Sequence, residues 1–217
     1  MPDHAATLRV SEIFHSLQGE SSRAGLPTVF VRLTGCPLRC AWCDTDYAFS
    51  GGETMTLGDV LIEVARHGAQ QVCVTGGEPL AQKACLPLLT ALCDAGYSVS
   101  LETSGALDIA QVDPRVSRIM DLKAPASGEA ERNHWENLDR LTARDELKIV
   151  LADAADYAWA RQAIRERKLD AICPVLLSPV AGKLDPKRLA EWVLRDRLPV
   201  RVQLQLHKII WGTERGR

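Results

Sequence analysis

A chain of 217 residues, 46% hydrophobic and 25% charged, has the apolar material for one sizeable core and resembles neither a disordered nor a fibrous polymer. Its formal charge of -2 and pI near 6.2 supply no broad basic surface, which speaks against nucleic acid as a direct partner and favours a small molecule. No basic segment followed by an apolar run opens the chain, and no stretch reaches the roughly 18 apolar residues of a membrane span; a cytoplasmic location without membrane contact is expected.

The elements alternate along the chain. An initial strand over Leu8–Phe14 is expected at a sheet edge, followed by strands over Thr28–Leu33, Gln71–Val74, Ser98–Glu102, Arg118–Asp121, Leu147–Leu151, Ala171–Val175 and Val200–Leu206. Helical periodicity marks Leu57–Arg66, Lys83–Ala95, Asp153–Lys168 and Asp185–Arg195, with a glycine turn at Ser50–Glu53 and a polar loop at Ala124–Asn133. Strand, helix, strand repetition implies parallel pairing, hence an α/β fold: an open sheet or an incomplete (partial) TIM-like (β/α) barrel. One domain over residues 1–217 is expected, with a short C-terminal tail. In such folds the chemistry gathers where strands end.

The strand Val29–Leu33 runs into Cys36-Pro-Leu-Arg-Cys40-Ala-Trp42-Cys43, three thiols within eight residues. One loop of this spacing can wrap an iron-sulfur cube, ligate three irons and leave the fourth open. A tetrahedral zinc site is the alternative; it would need a fourth ligand, and only His15 or His207 could approach in space. Seven cysteines without an export signal argue for reduced thiols. Cys73, Cys85, Cys93 and Cys173 read as core packing, and His4, His67 and His134 as surface residues.

The spacing C-x3-C-x2-C, with Trp42 before the last cysteine, resembles the signature of the radical S-adenosylmethionine (SAM) superfamily, whose barrel is of the partial type. That resemblance implies a 4Fe-4S cluster on Cys36, Cys40 and Cys43 whose open iron chelates SAM, cleaved by one electron to methionine and a 5'-deoxyadenosyl radical. The strand exit Thr75-Gly76-Gly77-Glu78-Pro79 resembles the motif that binds the SAM amino group. Its two glycines would let a ligand approach the backbone, although Gly-Gly is also an ordinary turn. Trp42 and Asp44, flanking Cys43, are expected at the cofactor as well. Ser104, Lys123 and Ser127 can read ribose and carboxylate oxygens, or, for the serines, cap helices.

Residues outside the cluster point further. Leu17-Gln18-Gly19-Glu20, Arg32, Asp44-Thr45 and Gln203-Leu-Gln205-Leu-His207-Lys208 together resemble the 7-carboxy-7-deazaguanine synthase family, over nearly the whole chain. The resemblance implies a pterin substrate, 6-carboxy-5,6,7,8-tetrahydropterin, contracted with loss of ammonia on the route to queuosine. Backbone and side chains of Leu17, Gln18 and Gly19 would read the pterin edge, with Glu20 nearby. Arg32 would pair with the carboxylate, Thr75 and His207 would touch substrate, and the Thr45 hydroxyl would bind Mg²⁺, though Asp44-Thr45 can equally cap a turn. A homodimer and an electron donor such as flavodoxin or ferredoxin are further expectations from the family. In some members the terminal carboxylate reaches the site; here Gly212 to Arg217 is charged and expected to fray. Two rivals stay open: a glycyl-radical-type activating enzyme and a non-catalytic Cys-rich metal-binding module.

Overall fold

The computed structural model describes residues 5–216, so His4 and Arg217 lie outside the described residues. The chain forms β1 (Thr7–Leu17), β2 (Pro27–Leu33), β3 (Glu53–Thr56), α1 (Leu57–Arg66), β4 (Gln71–Gly76), α2 (Cys85–Asp94), β5 (Ser98–Thr103) and β6 (Ser117–Asp121). It continues through β7 (Glu146–Leu151), α3 (Ala154–Arg167), β8 (Val175–Pro179), α4 (Pro186–Asp196), β9 (Arg201–Val202) and α5 (Leu206–Trp211). The strands make one nine-stranded sheet in the order β3-β1-β2-β4-β5-β6-β7-β8-β9. From β2 to β9 the pairs are parallel, while β1 runs antiparallel to both β2 and β3. The order does not close on itself, so the architecture is the incomplete α/β barrel expected.

The two faces of the strands have different jobs. Val29, Val31 and Leu33 of β2, Val72 and Val74 of β4, Val99 and Leu101 of β5, Leu147, Ile149 and Leu151 of β7 and Val175 and Leu177 of β8 join one core. Helices close that face with Leu57, Val60 and Val64 of α1, Leu88, Leu89 and Leu92 of α2, Ala160 and Ile164 of α3, and Leu189 and Val193 of α4. The intervening residues, Phe30, Arg32, Thr75, Glu102, Asp121, Lys148 and Ser178, face a cavity instead. Side chains alternate across a strand, so a polar residue every second position puts a polar lining on one face.

Helix boundaries follow their caps. Thr56 and Asp59 form a reciprocal capping box at the start of α1. Asp153 caps α3, Asp185 caps α4 ahead of Pro186, and Lys168 and Arg197 end these helices in the left-handed region.

Four expectations change. The initial strand is not the edge: it extends to Leu17 and pairs on its far side with β3, which occupies the end of the presumed Ser50–Glu53 turn and just beyond it. Of the strand expected over Ala171–Val175 only Val175 is one; a 3-10 turn spans Leu169–Ala171 and β8 begins after Pro174, whose missing N–H cannot join a ladder. Val200–Leu206 pairs with β8 only at Arg201 and Val202, because the chain leaves this outer position to pack over the cavity and winds into α5. The loop Ala124–Asn133 contains two 3-10 turns, Pro125–Ser127 and Ala130–Arg132. No helix is long and apolar enough to cross a membrane among the described residues.

Candidate active site

A cavity of about 620 Å³ opens at the C-terminal ends of the parallel strands, a volume suited to small-molecule ligands. Cys36, Cys40, Trp42, Cys43, Asp44 and Thr45 line it from the loop after β2, and Leu17, Gln18, Gly19 and Glu20 from the loop after β1. Thr75, Gly76, Gly77, Ser104, Lys123 and His207 line it too, so most of the expected residues meet in one place.

The three cysteines are half-buried free thiols. The Leu38 amide donates to the Cys36 sulfur, and the Cys43 sulfur lies 3.8 Å from the Thr45 hydroxyl. Burial pushes the Cys36 and Cys40 thiols up, so binding a cluster displaces their protons. Among the described residues no three His, Cys, Asp or Glu side chains converge as ligands of a single metal ion. Thiols spread around one end of a cavity suit a cube, where each sulfur takes a different iron, better than a single tetrahedral zinc. A second loop braces this one: Ala41 N–H donates to the Ser127 carbonyl at 3.0 Å and Arg39 N–H to the Glu129 carboxylate at 2.6 Å.

Gly76 and Gly77 line the cavity and also meet a second stretch of backbone. A Cβ on Gly76 would stand 2.1 Å from the Leu33 carbonyl oxygen, and one on Gly77 2.4 Å from the Gly35 carbonyl oxygen. The close approach is to the backbone leading into the cysteine loop, so these glycines seat the loop against β4. Glu78 and Ser127 do not line the cavity. The fully buried Glu78 carboxylate accepts from the Thr103 hydroxyl, from Ser104 through N–H and hydroxyl, and from Leu80 N–H, which ties the β4 exit to the β5 exit. The Ser127 hydroxyl donates to the Ala124 carbonyl at 2.6 Å and accepts from Glu129 N–H, the turn-capping alternative.

Polar atoms without partners face inward. Asp121 Oδ1 and Ser178 Oγ are buried with no hydrogen-bond partner among the described residues. Buried polar atoms are ordinarily satisfied, so these two fit a bound polar molecule beside the cysteines such as SAM. The other Asp121 oxygen accepts from Lys123 Nζ at 2.7 Å, and Lys148 Nζ stands 3.6 Å from Oδ1. Lys148 also pairs with Glu20 at 2.5 Å. Burial works against all of these charges, yet the two lysines hold Asp121 below the usual carboxylate range, and Asp121 and Glu20 hold Lys148 well above its own.

On the other side, Arg32 Nε donates to Glu12 Oε1 at 2.7 Å, and the Tyr47 hydroxyl donates to the same oxygen at 2.9 Å. Spending Nε this way leaves the two terminal nitrogens of Arg32 as a fork for a carboxylate. Arg32 thus makes an ion pair and still faces the cavity. Register puts Thr75 beside it, and the Thr75 hydroxyl donates to Glu102 at 2.9 Å, where Gln18 Nε2 donates at 3.2 Å. The Thr45 side chain makes no cap bond with the turn Asp46–Phe49, and Asp44 pairs with Lys208 at 2.6 Å; neither residue caps.

The loop after β1 and the segment 203–208 fold together. Leu206 N–H donates to the Gly19 carbonyl, Gln205 to Glu20, and Ser21 N–H to Gln203. A Cβ at Gly19 would stand 1.9 Å from His207 Nδ1, so this glycine is required by the imidazole. His207 sits in the first turn of α5 rather than at a strand end, and burial lowers its pKa. Gln18 spends its own N–H on Leu26 and its carbonyl on Gly25, so what Gln18 itself offers a ligand is its amide side chain. Residues 212–216 line the cavity instead of fraying. Cys73, Cys85 and Cys173 are buried as expected, whereas Cys93 is only half-buried. His67 and His134 are half-buried outside the cavity lining.

Glu12, Tyr47, Glu102, Lys148 and Lys208 were not expected here. Lys148 carries a signal in the sequence, a charge inside an apolar strand, and Glu102 ends the expected strand Ser98–Glu102.

The model of the radical SAM superfamily matches residues 30–123. The 7-carboxy-7-deazaguanine synthase of Chlorobaculum tepidum is 50% identical, over 96% of this chain and 96% of its own. That of Koribacter versatilis is 45% identical, over 95% and 98%. Among solved structures, QueE from Escherichia coli superposes with a TM-score of 0.77 at 25% identity, covering 93% of this chain and 95% of that one. Near full-length likeness at this level leaves no support for an activating enzyme or a metal-binding module, and the chain belongs to the 7-carboxy-7-deazaguanine synthase family of the radical SAM superfamily.

Proposed function

We propose that this enzyme converts 6-carboxy-5,6,7,8-tetrahydropterin to 7-carboxy-7-deazaguanine with release of ammonia. The observation that carries the reading is convergence: three cysteine thiols, a forked arginine, an uncapped threonine hydroxyl and a pair of carboxylates all face one cavity. The product is the substrate less one ammonia, with no net oxidation, so SAM can be regenerated at each turnover. The cluster, when bound, passes the electron that cleaves SAM and so supplies the radical chemistry.

The chain's own residues hold and orient the substrate. Arg32, fixed by Glu12, grips the carboxylate through its two free nitrogens. Glu102 and Gln18 present acceptor and amide groups to the amino and N–H edge of the pterin, while Gln205 and Lys148 hold Glu20 in place. Thr45 supplies one hydroxyl oxygen to Mg²⁺, an ion that commonly keeps waters and bridges to ligand oxygens, so few protein ligands suffice. Gly77, Ser104, Asp121, Lys123 and Ser178, which line the same cavity, are the residues assigned to SAM in this reading. A homodimer, reduction by a flavodoxin or ferredoxin, and residence in the reducing cytoplasm, where seven thiols stay reduced, complete the reading.

Two variants separate the roles. Cys40→Ala is expected to abolish SAM cleavage, measured as 5'-deoxyadenosine in an anaerobic assay. Thr45→Ala is expected to keep cleavage and lose the Mg²⁺ dependence of product formation; equal loss of both activities would contradict the Mg²⁺ assignment.

A further inference from the structure

We propose that Arg215 is a second carboxylate-binding residue, which reaches the substrate from the C-terminal strap beside the Tyr47 ring that Arg32 also approaches. The inference rests on the substrate reading above. Gly212, Thr213, Glu214, Arg215 and Gly216 all line the cavity, so the strap after α5 forms part of its wall. Arg215 lays its guanidinium over the Tyr47 ring, Cζ to centroid 4.2 Å, and Arg32 approaches the same ring at 5.8 Å. Two guanidinium groups therefore approach one aromatic side chain in the turn that follows Thr45.

Arg32, Glu12 and Arg215 all act on the Tyr47 phenol. Glu12 is engaged by both Arg32 and the Tyr47 hydroxyl, and Asp44 is engaged by Lys208. Arg215 brings a second guanidinium to the cavity wall that Arg32 also lines, the complement of an incoming carboxylate. Stacking employs the face of a guanidinium and leaves its N–H edge for hydrogen bonding, so an arginine held by Tyr47 keeps the donors that bind a carboxylate. Tyr47 is then the platform that sets the distance between the two arginines, and its hydroxyl links the strap through Glu12 to Arg32.

The test compares two ligands by anaerobic calorimetry with the reconstituted holoenzyme, SAM and Mg²⁺: 6-carboxytetrahydropterin and tetrahydropterin, which lacks the carboxylate. Arg215→Ala is expected to weaken the first roughly tenfold or more, the usual effect of losing a charged hydrogen bond, and to leave the second unchanged. Arg215→Lys should recover part of the difference. Equal affinity of variant and wild type for the carboxylated ligand, or equal weakening of both ligands, would overturn the role of Arg215. Failure of the wild type itself to prefer the carboxylated pterin would instead overturn the substrate reading.

Discussion

Lys148 is the residue on which the floor of the cavity depends. It is buried between Glu20 and Asp121, and breaking a buried pair by removing one partner leaves an uncompensated charge. Lys148→Met keeps the volume and removes the ammonium; it is expected to cost about 3 kcal/mol of stability by chemical denaturation and to abolish product formation. An unchanged unfolding midpoint would show that the pair contributes nothing. Glu78 makes the complementary case. Its carboxylate never meets the cavity, so Glu78→Gln is expected to lower the melting temperature by the same amount with and without SAM. A loss seen only when SAM is present would place Glu78 at the cofactor after all.

At the scale of elements, the parallel strands were legible because their helix-facing halves are runs of valine, leucine and isoleucine. Part of their inward-facing halves was legible too, since Arg32 and Thr75 interrupt those runs at the side-chain period of two. β3 was hidden because it is four residues long and mostly exposed, with no apolar alternation to betray it. α5 was hidden because Gln203 and Gln205 are spent on Ser21 and Glu20, partners nearly the whole chain away that no local pattern contains. The seating of the cysteine loop on the glycine pair was hidden for the same reason: a strand exit does not reveal that another backbone lies 2.1 Å from a would-be Cβ. Gly76→Ala, at φ +151 and against the Leu33 carbonyl, is expected to displace the cysteine loop and reduce the iron bound after reconstitution. Full iron content in a folded variant would mean that the loop does not lean on β4.

Over the whole molecule, stability should follow the buried ion pairs that tie the sheet together. Asp145 is bonded to Arg118 through Nε and Nη2 at 3.0 and 2.6 Å, and although burial opposes its charge, Arg118 holds its pKa below the ordinary carboxylate value. A depressed folded-state pKa stabilises above the unfolded value, about 3.9 for Asp, and that contribution disappears as pH falls through the folded value. The unfolding midpoint is therefore expected to drop below about pH 4, and Asp145→Asn to flatten that part of the profile; an unaltered acid slope in the variant would exclude the pair as its source. The family was readable from the sequence because its motifs are short and sit at strand ends. The strap was not, since a glycine-flanked charged tail looks the same whether it frays or lines a cavity.

The most direct test of the account is mass-spectrometric detection of 7-carboxy-7-deazaguanine after anaerobic reconstitution, with 6-carboxytetrahydropterin, SAM, Mg²⁺ and reductant present and iron counted in the same sample. The expected result is an iron-loaded protein that forms the deazapurine in excess of the SAM consumed. Zinc in place of iron, or 5'-deoxyadenosine accumulating without any deazapurine, would contradict it.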